Sequence, residues 1–224
     1  MNRRIAVLLL PLLVAAAAGC TATGTEEPAP PRPRAERPSP FEDCAKLTTP
    51  ATATPTAGAG TSSEATDTST GAEASSAAAN GRAGDPLPEL TLACFTGGAP
   101  VALRDVRGPA VINIWASWCP PCRKELPAFQ RLSKRAGDRI HVIGVNSQDS
   151  RSAAQSIGED LGVGFPMLVD QGTALQRALN RNAFPLTLLV DAQGRVVHTD
   201  ASGALDDASL GELVREHLGV AVPA

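Results

Sequence analysis

Two cysteines separated by two prolines, Cys119 and Cys122, are the residues whose spacing most clearly predicts chemistry. Thiols this close can close a small disulfide ring and reopen it, exchanging two electrons with another thiol pair. The apolar run Val111–Trp115 predicts a buried strand before them, and a helix is predicted from about Cys119 to Ala136. A helix N-terminus favours an anion, and thiolates there have pKa values of about 3.5–7.5. We therefore expect Cys119 to be an exposed nucleophile and Cys122 to be the resolving thiol.

Three other interpretations compete with redox chemistry. A zinc site needs four ligands, and the predicted domain adds only three scattered histidines, His141, His198 and His217. A purely structural disulfide would stabilise little, because so short a ring hardly restrains the unfolded chain. The third interpretation is an inactive module that keeps the motif. The pattern favours a redox pair that works without a metal or a cofactor.

The N-terminus has the layout of an export signal. Arg3 and Arg4 form a positive region, an apolar run covers residues 5–18, and small residues lead to Cys20. We predict a signal peptide over residues 1–19. A cysteine after Ala-Ala-Gly resembles a bacterial lipoprotein signal, in which that thiol is lipidated; because Ala17 stands where leucine is usual, an ordinary cleaved signal is the alternative. The mature chain is then lipid-anchored on the extracytoplasmic face of the cell membrane, or secreted, where disulfides persist.

Composition divides the remaining chain into two parts. Between residues 45 and 84, 33 of 40 residues are Ala, Thr, Ser, Gly or Pro, so residues 20–84 are predicted to be a flexible tether. Phe41 and Cys44 are exceptions that suggest a local tie to the domain. Residues 85–224 are long enough for one domain. The net charge of −3 argues against nucleic-acid binding, which needs a basic face, and no apolar run reaches the roughly 20 residues of a membrane span.

The predicted domain alternates strands and helices. Strands are predicted at Leu90–Phe95, Val101–Leu103, Val111–Trp115, Ile140–Val145, Met167–Val169, Leu186–Val190 and Val196–His198. Besides the helix after Cys119, helices are predicted at Ala153–Leu161, Thr173–Leu179 and Asp206–Leu218. This order indicates an α/β fold, a mixed β-sheet with helices on both faces.

Residues 111–127, Val-Ile-Asn-Ile-Trp-Ala-Ser-Trp-Cys-Pro-Pro-Cys-Arg-Lys-Glu-Leu-Pro, resemble the thioredoxin fold and, within it, the TlpA/ResA-like extracytoplasmic family. The resemblance covers about residues 85–220. It implies a thioredoxin-like mixed sheet with an N-terminal strand extension and a central αβ insertion. It also implies a thiol–disulfide oxidoreductase, often membrane-anchored. Several members reduce the haem-binding cysteines of apocytochrome c, and others oxidise or isomerise exported proteins.

The resemblance also implies roles for single residues. Phe184-Pro185 matches the family's cis-proline segment, whose backbone can pair with an extended substrate; Phe165-Pro166 is a second candidate of lower rank. Glu125 matches a glutamate that tunes the thiols and assists proton transfer, so that it can take the proton of Cys122. The alternative for Glu125 is a solvated glutamate in the first turn of the helix.

Three further side chains near the pair receive expectations. Asn113 stands where classical thioredoxins have a buried aspartate, and an amide cannot act as a base, which leaves Glu125 as the nearest candidate. Trp118 and Pro120 are expected to contact substrate, with Trp118 shielding the disulfide, whereas Trp115 is expected in the core.

Cys44 and Cys94 remain once Cys20 is assigned to the lipid and the Cys-Pro-Pro-Cys pair to redox chemistry. An oxidising compartment disfavours leftover thiols. We therefore hypothesise a structural disulfide between Cys44 and Cys94 that holds residues 41–46 against the domain.

Two classes of function follow. The first is an enzyme that takes electrons from a membrane thiol transporter and reduces disulfides of exported proteins such as apocytochrome c, a step of cytochrome c maturation; the oxidising direction stays open. The second is a non-catalytic thioredoxin-like binding module that docks one partner. A redoxin-type peroxidase is a weaker option, because no peroxidatic Thr-Cys motif precedes the pair.

Overall fold

The computed structural model describes residues 37–51 and 83–222. Within these ranges the strands are β1 (Thr91–Cys94), β2 (Val101–Ala102), β3 (Ala110–Trp115), β4 (His141–Ser147), β5 (Met167–Asp170), β6 (Leu186–Val190) and β7 (Val196–Asp200). The α-helices are α1 (Pro120–Ala136), α2 (Arg151–Leu161), α3 (Ala174–Ala178) and α4 (Asp207–Leu218). Each lies within two residues of its predicted bounds. The predicted signal peptide and Cys20 fall outside the described residues.

The strands form one mixed sheet in the order β2-β1-β5-β4-β3-β6-β7. The central strands β5, β4 and β3 are parallel, whereas β1 joins β5, and β6 joins β3, in antiparallel pairs. The thioredoxin-like fold is confirmed. The hairpin of β1 and β2 forms the predicted N-terminal extension, and α2 with β5 forms the predicted insertion.

Side chains that alternate along the strands build a core on each face of the sheet. Val111 and Trp115 of β3 join the cluster that includes the buried side chains of α1, α2 and α4. Ile112 and Ile114 join the cluster on the other face, which includes Leu175 of α3. The predicted placement of helices on both faces is confirmed. In the described part of the chain no helix is both long enough and apolar enough to traverse a lipid bilayer.

Residues 38–51, which we call the N-terminal strap, differ from the predicted tether because they pack on the domain. Phe41, Cys44 and Leu47 are buried in it. A low-complexity composition predicts no core of its own, but three apolar side chains at spacings of three residues can insert into a core supplied by the rest of the chain. The strap is therefore an exception to the predicted tether of residues 20–84, and it contains the local tie expected at Phe41 and Cys44.

The strap is attached by packing, by hydrogen bonds and by a disulfide. The ring of Phe41 meets that of Phe95 edge-on, with centroids 4.7 Å apart. The N–H of Glu42 donates to the carbonyl of Gly164 at 2.7 Å. The structure joins Cys44 to Cys94 with an S–S distance of 2.00 Å, closing a loop between residues 50 positions apart. The strap thus belongs to the folded domain although it lies far from it in sequence.

Candidate active site

The Cys-Pro-Pro-Cys pair lies where β3 leaves the sheet and α1 begins. Cys119 is the N-cap of α1, and prolines occupy the first helical positions, where no N–H need be donated inward. Cys119 and Cys122 form a disulfide with an S–S distance of 2.07 Å. The backbone N–H of Cys122 points at the Cys119 sulfur, 3.2 Å away. The helix N-terminus therefore directs a donor at the first sulfur, as an anionic thiolate requires.

The two sulfurs are less accessible than the sequence suggests. Cys119 keeps 3% of its surface in this disulfide form and Cys122 keeps none. Both belong to the buried cluster, against which Phe184 also packs. The expected exposure of Cys119 is therefore wrong for this disulfide form, because residues that are distant in sequence but close in space cover it. The order of accessibility, Cys119 above Cys122, is as expected.

The turn before Cys119 is braced from a neighbouring loop. The backbone N–H and the hydroxyl of Ser117 donate to the carboxylate of Asp149 at 2.5 and 2.7 Å. The side-chain amide of Asn146, at the end of β4, donates to the same carboxylate at 2.9 Å. Sequence reasoning missed Asp149, because its position just before α2 gives no sign of a contact with a residue 32 positions earlier.

Trp118 forms an exposed platform beside the disulfide. It is 56% exposed, the single large apolar side chain so exposed among the described residues. Its indole N–H donates to the carbonyl of Gln148 at 2.9 Å. Its ring meets the ring of Phe184 edge-on, with centroids 5.3 Å apart. Gln148, which the sequence did not single out, thus fixes the orientation of the platform.

The proline segment predicted from the sequence lies next to the turn that carries Cys119. The antiparallel pairing of β3 with β6 sets Ile114 opposite Leu186, so Pro185 is level with the end of β3. The Phe184–Pro185 peptide bond is cis, and the Phe165–Pro166 bond is not among the cis bonds of the described residues. Pro185 is buried, and Pro120 is exposed on the first turn of α1. Trp118, Pro120 and Phe184 together present an accessible surface around the disulfide.

Glu125 is buried beneath the site and is not the solvated glutamate of the alternative interpretation. One carboxylate oxygen accepts a hydrogen bond from the Asn113 amide at 2.6 Å. The other accepts one from the backbone N–H of Leu205 at 3.1 Å. Burial raises the pKa of Glu125 from 4.5 to about 7. The two hydrogen bonds lower this pKa, and the negative charge of Asp200 makes a smaller contribution that raises it. The carboxyl is therefore suited to exchange protons near neutral pH.

Asn113 keeps one unused hydrogen-bonding group at this place. Its amide nitrogen is engaged by Glu125, but its carbonyl oxygen is buried and has no hydrogen-bond partner. A protonated carboxyl has an O–H to donate, and an amide turned by 180° would present its oxygen to that donor. Both protonation states of Glu125 thus find a partner in Asn113.

The remaining sequence candidates lie elsewhere. Trp115 is fully buried and its indole N–H donates to the sulfur of Met167, which places it in the core. His198 and His217 stack on each other with centroids 4.0 Å apart, and His141 contacts the Thr49 carbonyl. No cluster of three or more metal-ligating side chains occurs within residues 37–51 and 83–222.

Comparisons with known proteins agree with this geometry. The family model described as Redoxin matches residues 82–213. The thioredoxin-like protein YneN of Bacillus subtilis is 30% identical over 115 residues, which cover 50% of this chain and 66% of that protein. The thiol-disulfide oxidoreductase ResA of Bacillus subtilis is 31% identical over 104 residues, which cover 46% and 58%. The chain thus spans less than two thirds of these curated relatives.

Solved structures show the same fold. A putative thiol:disulfide interchange protein DsbE from Chlorobium tepidum is 25% identical with a TM-score of 0.55, over 62% of this chain and 99% of that one. A DsbF homologue from Corynebacterium diphtheriae is 26% identical with a TM-score of 0.52, over 59% and 86%. The family match covers more than half of the sequence, and the resemblance of residues 111–127 is confirmed. The chain belongs to the redoxin family, has the thioredoxin fold, and is similar to ResA and YneN.

Proposed function

We propose that this protein is an extracytoplasmic thiol–disulfide oxidoreductase that works through Cys119 and Cys122. The observation that carries the proposal is the position of the Cys119 sulfur at the N-terminus of α1, where it accepts the N–H of Cys122 across the disulfide. A sulfur so placed is stabilised as a thiolate once the disulfide opens, and the thiolate is both the attacking and the leaving group of disulfide exchange.

In the reducing direction the reaction has two steps. The Cys119 thiolate attacks a disulfide of the client protein, forms a mixed disulfide, and releases one client sulfur as a thiolate. The Cys122 thiol then loses its proton and attacks the Cys119 sulfur, which forms the Cys119–Cys122 disulfide and releases the second client thiolate. Two electrons have passed to the client, and a dithiol donor must return two electrons to the protein before the next cycle.

Glu125 is the proton acceptor that we assign to the second step. It lies one helical turn after Cys122, on the same side of α1. With a pKa of about 7 it is ionised often enough to accept a proton and is basic enough to hold one. Asn113 and the Leu205 N–H keep the carboxyl in place in the meantime.

Client proteins would dock on the surface formed by Trp118, Pro120, Phe184 and Pro185. The exposed indole supplies apolar contact area, and the backbone at Phe184 can pair with an extended client segment as an added strand. We propose disulfides of exported proteins, such as apocytochrome c, as the clients and a membrane thiol transporter as the electron donor. The names of the relatives, thiol-disulfide oxidoreductase and thiol:disulfide interchange protein, support the reaction class.

The location that we propose is the outer face of the membrane, with a lipid on Cys20, a signal over residues 1–19 and a tether before the strap. The disulfide between Cys44 and Cys94 supports an oxidising compartment. Labelling with radioactive palmitate tests the anchor. A Cys20→Ser variant should lose the label and the membrane association, and a variant that keeps both would contradict this part of the proposal.

A trapping experiment tests the function. In a Cys122→Ser variant Cys119 attacks a client but no second thiol releases it, so mixed disulfides should accumulate and mass spectrometry should name the clients. Cys119→Ser is the matched control, because it lacks the attacking thiolate. If neither variant forms a mixed disulfide with a client, or if the Cys119→Ser protein keeps its biological activity, the non-catalytic binding module would be favoured instead.

Equilibration with a thiol buffer tests the direction. A reductase should have a reduction potential near that of thioredoxin, about −270 mV. A value near that of strong oxidants, about −120 mV, would refute the reducing direction while leaving the exchange chemistry intact.

A further inference from the structure

A polar groove of about 530 Å³ lies beside the catalytic surface. We call it the Arg177 groove. It is lined by Gln148, Thr173, Gln176, Arg177, Asn180, Arg181 and Asn182. The lining contains two cationic side chains, four amides and a hydroxyl, and it contains no carboxylate. Such a surface suits oxygen atoms that carry negative charge or accept hydrogen bonds.

The groove continues directly from the platform next to the disulfide. Gln148 lines it and also holds Trp118 through its backbone carbonyl. Asn182 lines it two residues before Phe184, whose ring packs against Trp118. A client segment that lies across Trp118 with its cysteine at Cys119 therefore enters the groove with its neighbouring residues.

The positive charge of the groove is not neutralised by any ion pair among the described residues. Arg177 and Arg181 are exposed, and neither takes part in an ion pair in the described part of the chain. The nearby carboxylate of Asp170 is buried and occupied, because it accepts hydrogen bonds from the hydroxyl of Ser147 and the N–H of Leu175. The two guanidinium groups are thus available to carboxylates from outside, although the chain as a whole is acidic, with a net charge of −3.

A buried donor beneath the groove also lacks a partner. Gln176 is only 4% exposed. Its side-chain oxygen accepts from the amide of Gln148, but its nitrogen has no hydrogen-bond partner in the described structure. An unpaired buried donor is costly, and Gln148, whose amide contacts it, is an exposed side chain that can move. If the Gln148 side chain moves away and the Gln176 amide turns by 180°, the nitrogen of Gln176 faces the groove and can donate to a client oxygen.

We propose that the Arg177 groove binds an acidic segment of the client next to its reactive cysteine. The inference rests on the proposed function and adds a class of client to it. Arg177 and Arg181 pair with Asp or Glu side chains of that segment, and the amides and the hydroxyl bind its main chain. Charge at the rim of an interface mainly raises the rate of productive encounter, so clients with acidic residues beside the cysteine should react faster.

Two peptides test this with the full-length protein. Each carries one cysteine as a mixed disulfide with thionitrobenzoate, flanked by aspartates in one peptide and by asparagines in the other. Stopped-flow absorbance follows the release of thionitrobenzoate by reduced protein. The aspartate peptide should react faster, and the double variant R177Q/R181Q should slow it about fivefold while leaving the asparagine peptide unchanged. The effect should shrink at high salt.

The control variant is Arg215→Gln, which removes an exposed arginine from α4, on the opposite face of the sheet from α3. It should leave both rates unchanged. Dithiothreitol should reduce the Cys119–Cys122 disulfide of the oxidised form at the same rate in all variants, since that small reagent does not fill the groove.

Equal rates for the two peptides, or equal slowing of both by R177Q/R181Q, would overturn the inference while the proposed function stands. Binding of wild-type protein to phosphatidylglycerol vesicles that is lost in R177Q/R181Q, with unchanged peptide rates, would overturn it in favour of a membrane surface. A protein that reacts with neither peptide would refute the proposed function, and this inference with it.

Discussion

The buried carboxyl of Glu125 leads to a prediction about stability and pH. In the disulfide form its pKa is about 7, raised from 4.5 by burial. Between these two values the unfolded chain has released the proton and the folded chain still holds it. The unfolded state therefore binds fewer protons, so this group makes the free energy of unfolding fall as the pH rises from about 4.5 to 7. The loss levels off about one pH unit above the folded pKa, near pH 8, where both states have released the proton.

The size of this loss follows from the two pKa values. At about 1.4 kcal/mol per pH unit, the difference of 2.5 units between 4.5 and about 7 corresponds to at most about 3.5 kcal/mol. About 2.5 kcal/mol of it falls between pH 5 and pH 8. In the Glu125→Gln variant the side chain at this position cannot ionise, so this decrease in the free energy of unfolding does not occur. Its new amide can also donate to the carbonyl oxygen of Asn113, which now lacks a partner, once the Asn113 amide turns.

Urea unfolding under non-reducing conditions measures the effect. The stability of Glu125→Gln relative to wild type should rise by about 2.5 kcal/mol from pH 5 to pH 8, because contributions of all other groups cancel in the difference. Glu212→Gln is the control. The Glu212 side chain is 68% exposed, so its carboxyl is solvated in both the folded and the unfolded chain. A difference between Glu125→Gln and wild type that does not change with pH would refute the burial argument.

Three other substitutions test the packing around the site and the strap. Cys44→Ser opens a loop between residues 50 apart and should lower the free energy of unfolding by up to about 4 kcal/mol; urea unfolding that matches wild type would show that the bridge does not form. Gly158→Ala would place a methyl group 2.6 Å from the Phe41 ring. Although alanine has the better helix propensity, we expect the free energy of unfolding to fall by about 1 to 2 kcal/mol. A Tm above that of wild type would contradict this contact. Asn113→Asp sets a second carboxyl beside Glu125 and should lower the free energy of unfolding by about 3 kcal/mol at pH 8 and by much less at pH 4. An equal decrease at both pH values would argue against contact between the two carboxyl groups.

The strap shows where composition is a poor guide to structure. The stretch around it has the Ala-, Thr- and Pro-rich character of a solvated spacer, and most of its residues are exposed. Phe41, Cys44 and Leu47 nevertheless reach both core clusters. Burial of a few apolar side chains suffices when the partner surface already exists. The unusual aromatic and cysteine at residues 41 and 44 were the signal of this exception.

The features that can be read from sequence are those that neighbouring residues control. Apolar patterns located each strand and α-helix of the described residues, and the step from β3 into α1 placed Cys119 at a helix N-terminus, because strands, helices and their caps depend on local pattern. The order of those elements indicated a mixed sheet with helices on both faces, and the resemblance of residues 111–127 implied the thioredoxin fold. The tertiary structure alone decided the properties that depend on residues far apart in the chain. The raised pKa of Glu125 depends on burial by the folded chain, and the hydrogen bonds from Asn113 and Leu205 oppose it. The support of Trp118 and Ser117 requires Gln148 and Asp149. The Arg177 groove forms only when α3 packs beside Gln148, because burial and charge act through space.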